Sequence, residues 1–335
     1  MKNEELRMKK LLKKTLKLIL PIVLGGFILY WVYRDFDFSR VGEVLRHGTN
    51  WWWMLFSLLF GVLAQVFRGW RWRQTLEPLD AFPRRSDCVN AIFISYAASL
   101  VVPRIGEVSR CGVLAKYDNV SFAKSLGTVV TERLVDTLTI FLITGITVLL
   151  QMPVFVTFLE NTGTKIPSFA YLLTSVWFYI ILFCFIGVAI LLYYLRKTLF
   201  FYERVKGFVL NIWEGIMSLK GVRNIPLFIF YTLAIWACYF LHFYFTFYCF
   251  AFTAHLGILA ALVMFVGGTF AVIVPTPNGA GPWHFAIISM MMLYGVNVTD
   301  AGIFALIVHG IQTFLVVLLG IYGFAVLSFT NRHRG

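Results

Sequence analysis

The sequence predicts an all-α polytopic membrane protein with about six full spans and two re-entrant helical hairpins arranged as an inverted-topology repeat. Three observations carry this. The 335 residues are 59% hydrophobic and only 13% charged, with 34 Phe, 15 Tyr and 10 Trp. Six apolar runs, 16–33, 52–70, 126–150, 169–195, 226–252 and 301–328, are long enough to cross a bilayer, given that about 20 helical residues span a hydrocarbon core of about 30 Å. Two further apolar runs are interrupted by helix breakers, SLVVPRIGEVSR at 99–110 and VIVPTPNGAGPWHF at 272–285.

The first run, 16–33, has a basic flank like that of a signal peptide. It ends in Tyr30-Trp31-Val32-Tyr33-Arg34 rather than in a small-residue cleavage site, and reads as a retained anchor. After the second run, residues 88–116 read as a hairpin entering from the cytoplasm. Its first arm, 88–102, is too short to cross alone; Pro103 removes a backbone donor, and Gly106 is read as the turn. The third run, 126–150, closes the first repeat, 1–150, and 151–168 forms an external linker. The second repeat, 169–335, repeats the order span, span, hairpin, span, with its hairpin at 255–294 turning through Pro275, Pro277, Asn278 and Pro282. A matched pair of broken helices, one in each half, is the sequence mark of a transport site. Backbone that leaves the helix at membrane depth persists only inside protein or beside a wet cavity.

A net charge of +13 would suggest nucleic acid in a water-soluble chain, but its placement argues otherwise. Residues 1–17 carry seven Lys/Arg, 68–85 carry five arginines and 196–223 carry six Lys/Arg, whereas 34–50, 151–168 and 295–300 carry three, one and none. The positive-inside rule then places both termini in the cytoplasm, and the basic face fits an inner (cytoplasmic) membrane with anionic lipids. No nucleic-acid partner is expected. Between 201 and 219, apolar residues at three-to-four spacing suggest a helix on the cytoplasmic surface, or one packed on the bundle. The five cysteines have no ligand-like spacing, and no metal site or cofactor is expected.

The candidate chemistry lies in and around the hairpins. Arg104 and Arg110 place formal positive charge beside a half-helix start, where unpaired N–H groups already favour anions. In the second hairpin Gly279 and Gly281 allow backbone N–H groups to approach a ligand. Glu132 and Asp136, four apart, share a helix face, Arg133 lies three before Asp136, and with Glu107 the carboxylates could orient the arginines or relay protons. A purely structural ion-pair network is the competing reading. Arg68, Arg71 and Arg73, interleaved with Trp70 and Trp72, read as snorkelling to phosphate headgroups, with Arg71 alternatively reaching into the cavity. His284 and His309 read as interhelical hydrogen-bonders or proton carriers.

The run PRIGEVSR followed by Glu132, Arg133 and Asp136, together with the Gly/Pro loop of the second half, resembles the membrane domain of lysylphosphatidylglycerol synthases and the stand-alone flippase-like proteins of that family. The resemblance covers essentially the whole chain. It implies a membrane domain that moves or handles lipids, with functional positions at Pro103, Arg104, Gly106, Glu107, Arg110, Glu132, Arg133, Asp136, Pro275, Gly279 and Gly281. Two departures stand out: Asn278 where the family loop commonly has its first Gly, and His284 where a Glu is expected. With no synthase domain following, aminoacyl transfer is not expected and the chain reads as a non-enzyme. The expected partners are membrane lipids, an anionic phospholipid or a polyprenyl-phosphate lipid. A polyprenyl-phosphate-dependent glycosyltransferase, or a non-transporting partner of a lipid-modifying enzyme, are the alternatives.

Overall fold

The computed structural model describes residues 19–152 and 221–332. The expected span 169–195, most of the linker, the surface helix over 201–219 and the basic N-terminal stretch lie outside the described residues.

Ten α-helices are described: α1 (Ile19–Tyr33), α2 (Ser39–Glu43), α3 (Trp51–Leu76), α4 (Arg85–Val101), α5 (Ile105–Tyr117), α6 (Phe122–Leu150), α7 (Ile225–Tyr244), α8 (Ile258–Ala271), α9 (Pro282–Leu293) and α10 (Val298–Arg332). Four helical segments, built on α3, α6, α7 and α10, run 25 to 33 residues and are apolar enough to cross a membrane. At about 1.5 Å per residue they are roughly 38–50 Å long, more than a hydrocarbon core needs. The segments α4, α5, α8 and α9 have 17, 13, 14 and 12 residues, or about 18–26 Å each, and none crosses alone. The chain is an all-α integral membrane protein.

Local chemistry sets the ends. Asn50 caps α3 by accepting from the Trp52 N–H at 3.2 Å, and Asn224 caps α7 by accepting from Leu227 at 3.0 Å. Val102 is extended (φ −129°, ψ 114°) because it precedes Pro103, and α4 stops there. Pro282 starts α9 behind Gly281, as suits a residue with no N–H to leave unpaired. Two stretches add to or differ from the sequence reading. Residues 34–50, which lie between two expected spans, contain α2 and a π-helical turn at Val44–Gly48. The expected span 226–252 is α-helical only to Tyr244, then tightens into a 3-10 turn over Phe245–Cys249.

Packing crosses the two halves. Helix α3 packs on α7, α4 packs on α10, and α8 packs on α6, while α5 and α9 return along α6 and α10. Small residues make the close crossings. A Cβ on Gly69 would meet the Val89 backbone at 2.8 Å, and one on Gly323 would meet the Asn90 carbonyl at 2.9 Å. The larger apolar core lies at the α7–α10 end, where Phe243, Phe247, Phe250 and Phe304 are buried edge to face. The aromatic run after residue 239 therefore packs the bundle. A second core, with Trp72, Ile92 and Leu114, knits α3, α4 and α5.

Candidate functional site

Helical spacing gathers the charges. On α3, Arg68 and Arg71 are three apart; on α6, Glu132 and Asp136 are four apart; on α5, Glu107 and Arg110 are three apart. Each pair shares a face, and packing brings the three faces together. Asp136 holds Arg68 and Arg71 at 2.7 Å each, through separate carboxylate oxygens. Glu132 takes Arg110 at 2.7 Å and the Arg71 Nε at 3.5 Å. Arg71 also donates to the Thr232 hydroxyl of α7 at 3.3 Å. Arg133, half exposed, reaches both Glu107 and Asp136 at 3.5 Å.

Arg71, Arg110 and Glu132 are at most 1% exposed and Arg68 is 3% exposed. Snorkelling is thus overturned for Arg68 and Arg71: the carboxylates of α6 draw them inward, since a buried guanidinium persists only where it is paired. Arg73 alone behaves as a peripheral residue, pairing with Glu77 at 3.0 Å and donating to the Pro83 carbonyl. Three buried arginines face two buried carboxylates, so the cluster keeps one positive charge in excess. Arg110 lies over the Trp72 ring at 4.6 Å, yet its Nε and Nη2 have no hydrogen-bond partner among the described residues.

The two broken segments meet at this cluster. A cavity of about 560 Å³ lies between them, lined by Arg68, Arg104, Glu107, Arg110 and Arg133 from the first half and by the 269–279 turn of the second. It falls in the range of about 300–1,000 Å³ that small-ligand sites occupy. Arg104 donates across the gap to the Ile273 carbonyl at 3.4 Å, joining tips 169 residues apart.

The turn at the first tip is built differently from the sequence reading. Arg104 takes the left-handed conformation (φ 66°), and Gly106 lies within helix α5. The Gly106 hydrogen is needed for contact instead: a Cβ there would collide with the Ser95 carbonyl and the Ser99 hydroxyl of α4. Its N–H donates to Ser99 Oγ at 3.2 Å. At the second tip, Asn278 (φ 51°) and Gly279 (φ 72°) are left-handed. Asn278 thus fills a turn conformation that Asn tolerates better than most side-chain-bearing residues. It also donates to the Thr313 hydroxyl at 2.7 Å. Gly279 lines the cavity. Gly281 (φ 92°) does not; it faces α1, where a Cβ would meet the Gly25 carbonyl at 2.9 Å.

His284 and His309 are ring neighbours at 4.6 Å. His309 bonds the Asn278 carbonyl at 3.1 Å, and His284 Nδ1 accepts from the Gly281 N–H at 3.4 Å. Both brace the second tip from behind, outside the cavity lining. Of the turn prolines, Pro103 and Pro275 line the cavity, while Pro277 and Pro282 start the short helical pieces on either side of Gly279. Sequence reasoning passed over Tyr96 and Tyr239, whose hydroxyls meet at 2.7 Å beside Arg68. Nothing in their local spacing marks them.

The fold and site define an integral membrane protein with a cationic cavity enclosed between two broken helix pairs. Residues 18–320 match the family described as the lysylphosphatidylglycerol synthase TM region, and the chain belongs to that family. No curated protein and no solved structure gives a match.

Proposed function

We propose that the protein is a lipid flippase-like transporter that passes a polar, phosphate-bearing headgroup through the cavity while the acyl or prenyl tails stay in the bilayer. One observation carries this: a cavity at the meeting point of two broken helix pairs, lined by four arginines and one carboxylate. Membership of the family supports a membrane lipid as the ligand. In this reading the two helix pairs are re-entrant hairpins of an inverted repeat. The crossed packing, α4 on α10 and α8 on α6, is the pattern such a repeat produces. With a sixth span in the second half, the basic stretches of the sequence fall on one side, so both termini face the cytoplasm of an inner membrane.

Arg104 and Arg110 bind the phosphate, with Arg133 beside them. Glu132 and Asp136 hold the buried guanidinium groups in place, and Glu107 does so for Arg133. An anion entering the cavity supplies the negative charge that the cluster lacks.

The test is translocation of labelled lipid in proteoliposomes. Arg104→Ala removes an exposed cation that has no carboxylate partner among the described residues, at a position equally strained for either residue. Arg110→Lys keeps the charge and loses the fork. Each should slow translocation at least tenfold while the protein stays folded. Wild-type rates in both variants would refute the assignment.

A further inference from the structure

We infer that His284 and His309 form a proton-binding site that controls the second tip: the neutral pair holds the Asn278–Gly281 turn against the cavity, and a proton on His284 releases it. The inference goes beyond the transport reading, and its first readout does not depend on that reading.

Hydrogen-bond roles fix where the hydrogens sit. A carbonyl oxygen only accepts, so His309 Nε2, 3.1 Å from the Asn278 oxygen, carries a hydrogen. A backbone N–H only donates, so His284 Nδ1, 3.4 Å from the Gly281 nitrogen, carries none. An imidazolium has a hydrogen on both nitrogens, and His284 is therefore neutral in this arrangement. Nδ1 is its one basic site. A proton arriving there sets N–H against N–H and ends the bond to Gly281. The bond from His309 to Asn278 survives protonation of its own ring, which makes His284 the switch and His309 a positioning residue.

The surroundings give a charged ring nothing to pair with. His284 is 3% exposed, and its ring lies 4.6 Å from that of His309 and 5.8 Å from that of Tyr33 on α1. The Tyr33 hydroxyl is spent on the Gly302 carbonyl. Helices α8 and α9 and the tip between them hold no other titratable residue. Helix α10 carries Asp300 nine residues before His309, held there by Asn297 and Arg40. Helix α4, which packs on the turn, carries Tyr96, paired with Tyr239. Helix α7 reaches the pair through Phe243 against Trp283 and turns His242 to the Ser57 carbonyl of α3. None of these elements brings a carboxylate to either ring among the described residues. A buried charge without a partner is costly, so a protonated His284 is stable only where the tip has moved and water reaches it. The closed turn thus binds fewer protons than the open one. The balance shifts toward open as pH falls below the ordinary imidazole value of about 6.5, by up to about tenfold per pH unit for one proton.

The turn so held is part of the cavity wall. Asn278 and Gly279 are both left-handed, and both line the cavity. Thr313, His309 and His284 anchor them and Gly281 from behind. Losing one anchor loosens the wall itself.

The experiment is hydrogen exchange on the full-length protein in lipid nanodiscs between about pH 8 and about pH 5, on either side of the imidazole value, with each rate divided by the intrinsic rate at that pH. Peptides covering 276–285 should lose protection by at least about tenfold on acidification, while those from the α7–α10 core keep theirs. His284→Gln replaces Nδ1 by a carbonyl oxygen that accepts without titrating and should hold protection constant. His309→Gln keeps a donor for Asn278 and leaves His284 to titrate, so the acid response should persist. Lipid translocation in proteoliposomes should follow the wild-type profile and flatten in His284→Gln. Constant protection in wild type, or an unchanged acid response in His284→Gln, would overturn the inference and leave the transport reading standing. If His284→Gln does not fold, NMR of nitrogen-labelled histidine in wild type decides: a ring that takes a proton on its bare Nδ1 as protection is lost upholds the switch, and one that stays bare overturns it. Acid opening of the tip with no lipid moved at any pH would uphold the switch and overturn the transport reading.

Discussion

Replacing Asp136 by Asn is the most informative perturbation of the buried cluster. Asp136 is 7% exposed and carries two charge-assisted contacts of 2.7 Å, to Arg68 and Arg71, plus a longer one to Arg133. Asn keeps the size but has one carbonyl oxygen, so a single guanidinium retains an acceptor while the other is left with an amide N–H₂ facing it. The excess positive charge of the three buried arginines rises from one to two. Breaking a buried pair by removing one partner costs about 3–5 kcal/mol. Losing one charged hydrogen bond outright, at about 1.5–3 kcal/mol, and weakening the other to a neutral acceptor accounts for much of that cost. At roughly 2 °C per kcal/mol for a large domain, the melting temperature should fall by about 6–10 °C. Melting in detergent, followed by tryptophan fluorescence, measures it. Pairing Asp136→Asn with Arg68→Met restores the charge count and should recover part of the loss, a coupling that a double-mutant cycle reads directly. A shift below about 2 °C in Asp136→Asn, or no recovery in the double variant, would refute the view that this carboxylate neutralises the arginines.

Three further outcomes follow from the geometry. Gly106→Ala should destabilise by about 1–3 kcal/mol or prevent folding, because its methyl collides with the Ser95 carbonyl, whereas Gly112→Ala on the same helix, with nothing within 4 Å, should be near neutral in the same melt. Arg104→Gly should raise stability by about 1 kcal/mol by relieving a left-handed residue while still slowing translocation, so that melting temperature and transport move in opposite directions. Asp118, in the loop after α5, has its carboxyl pushed above the usual range by burial and then by the charge of Asp87. The folded state therefore binds this proton more tightly than the unfolded chain does. Its contribution to stability is present at low pH and is lost as pH rises from the ordinary carboxylate value through the raised one. Asp118→Asn should accordingly melt higher than wild type at neutral pH, with the difference shrinking on acidification toward the ordinary aspartate value; a constant difference across that window would contradict the account.

The sequence by itself determined the class, the long apolar helices among the described residues and the two breaks. These follow from composition, from runs long enough to span, and from Pro103, Pro275 and Pro282, which act on their own backbone and immediate neighbours. Spacing also put Glu132 with Asp136, and Glu107 with Arg110, on common faces, because a helix fixes which residues line up regardless of what lies opposite. The tertiary structure decided the partners. Arg71 lies 65 residues from Asp136 and 161 from Thr232, and Arg104 lies 169 from Ile273; no local pattern encodes such distances. It also changed the roles of three residues. Arg68, read as a headgroup contact, became a buried cation because α6 presents Asp136 to it. Gly106, read as a turn, became a crossing point because α5 folds back onto Ser95. Arg104 took the strained turn conformation instead. Each change arises where two helices meet, and the energy of burying a charge or excluding a methyl group belongs to that meeting rather than to either segment alone.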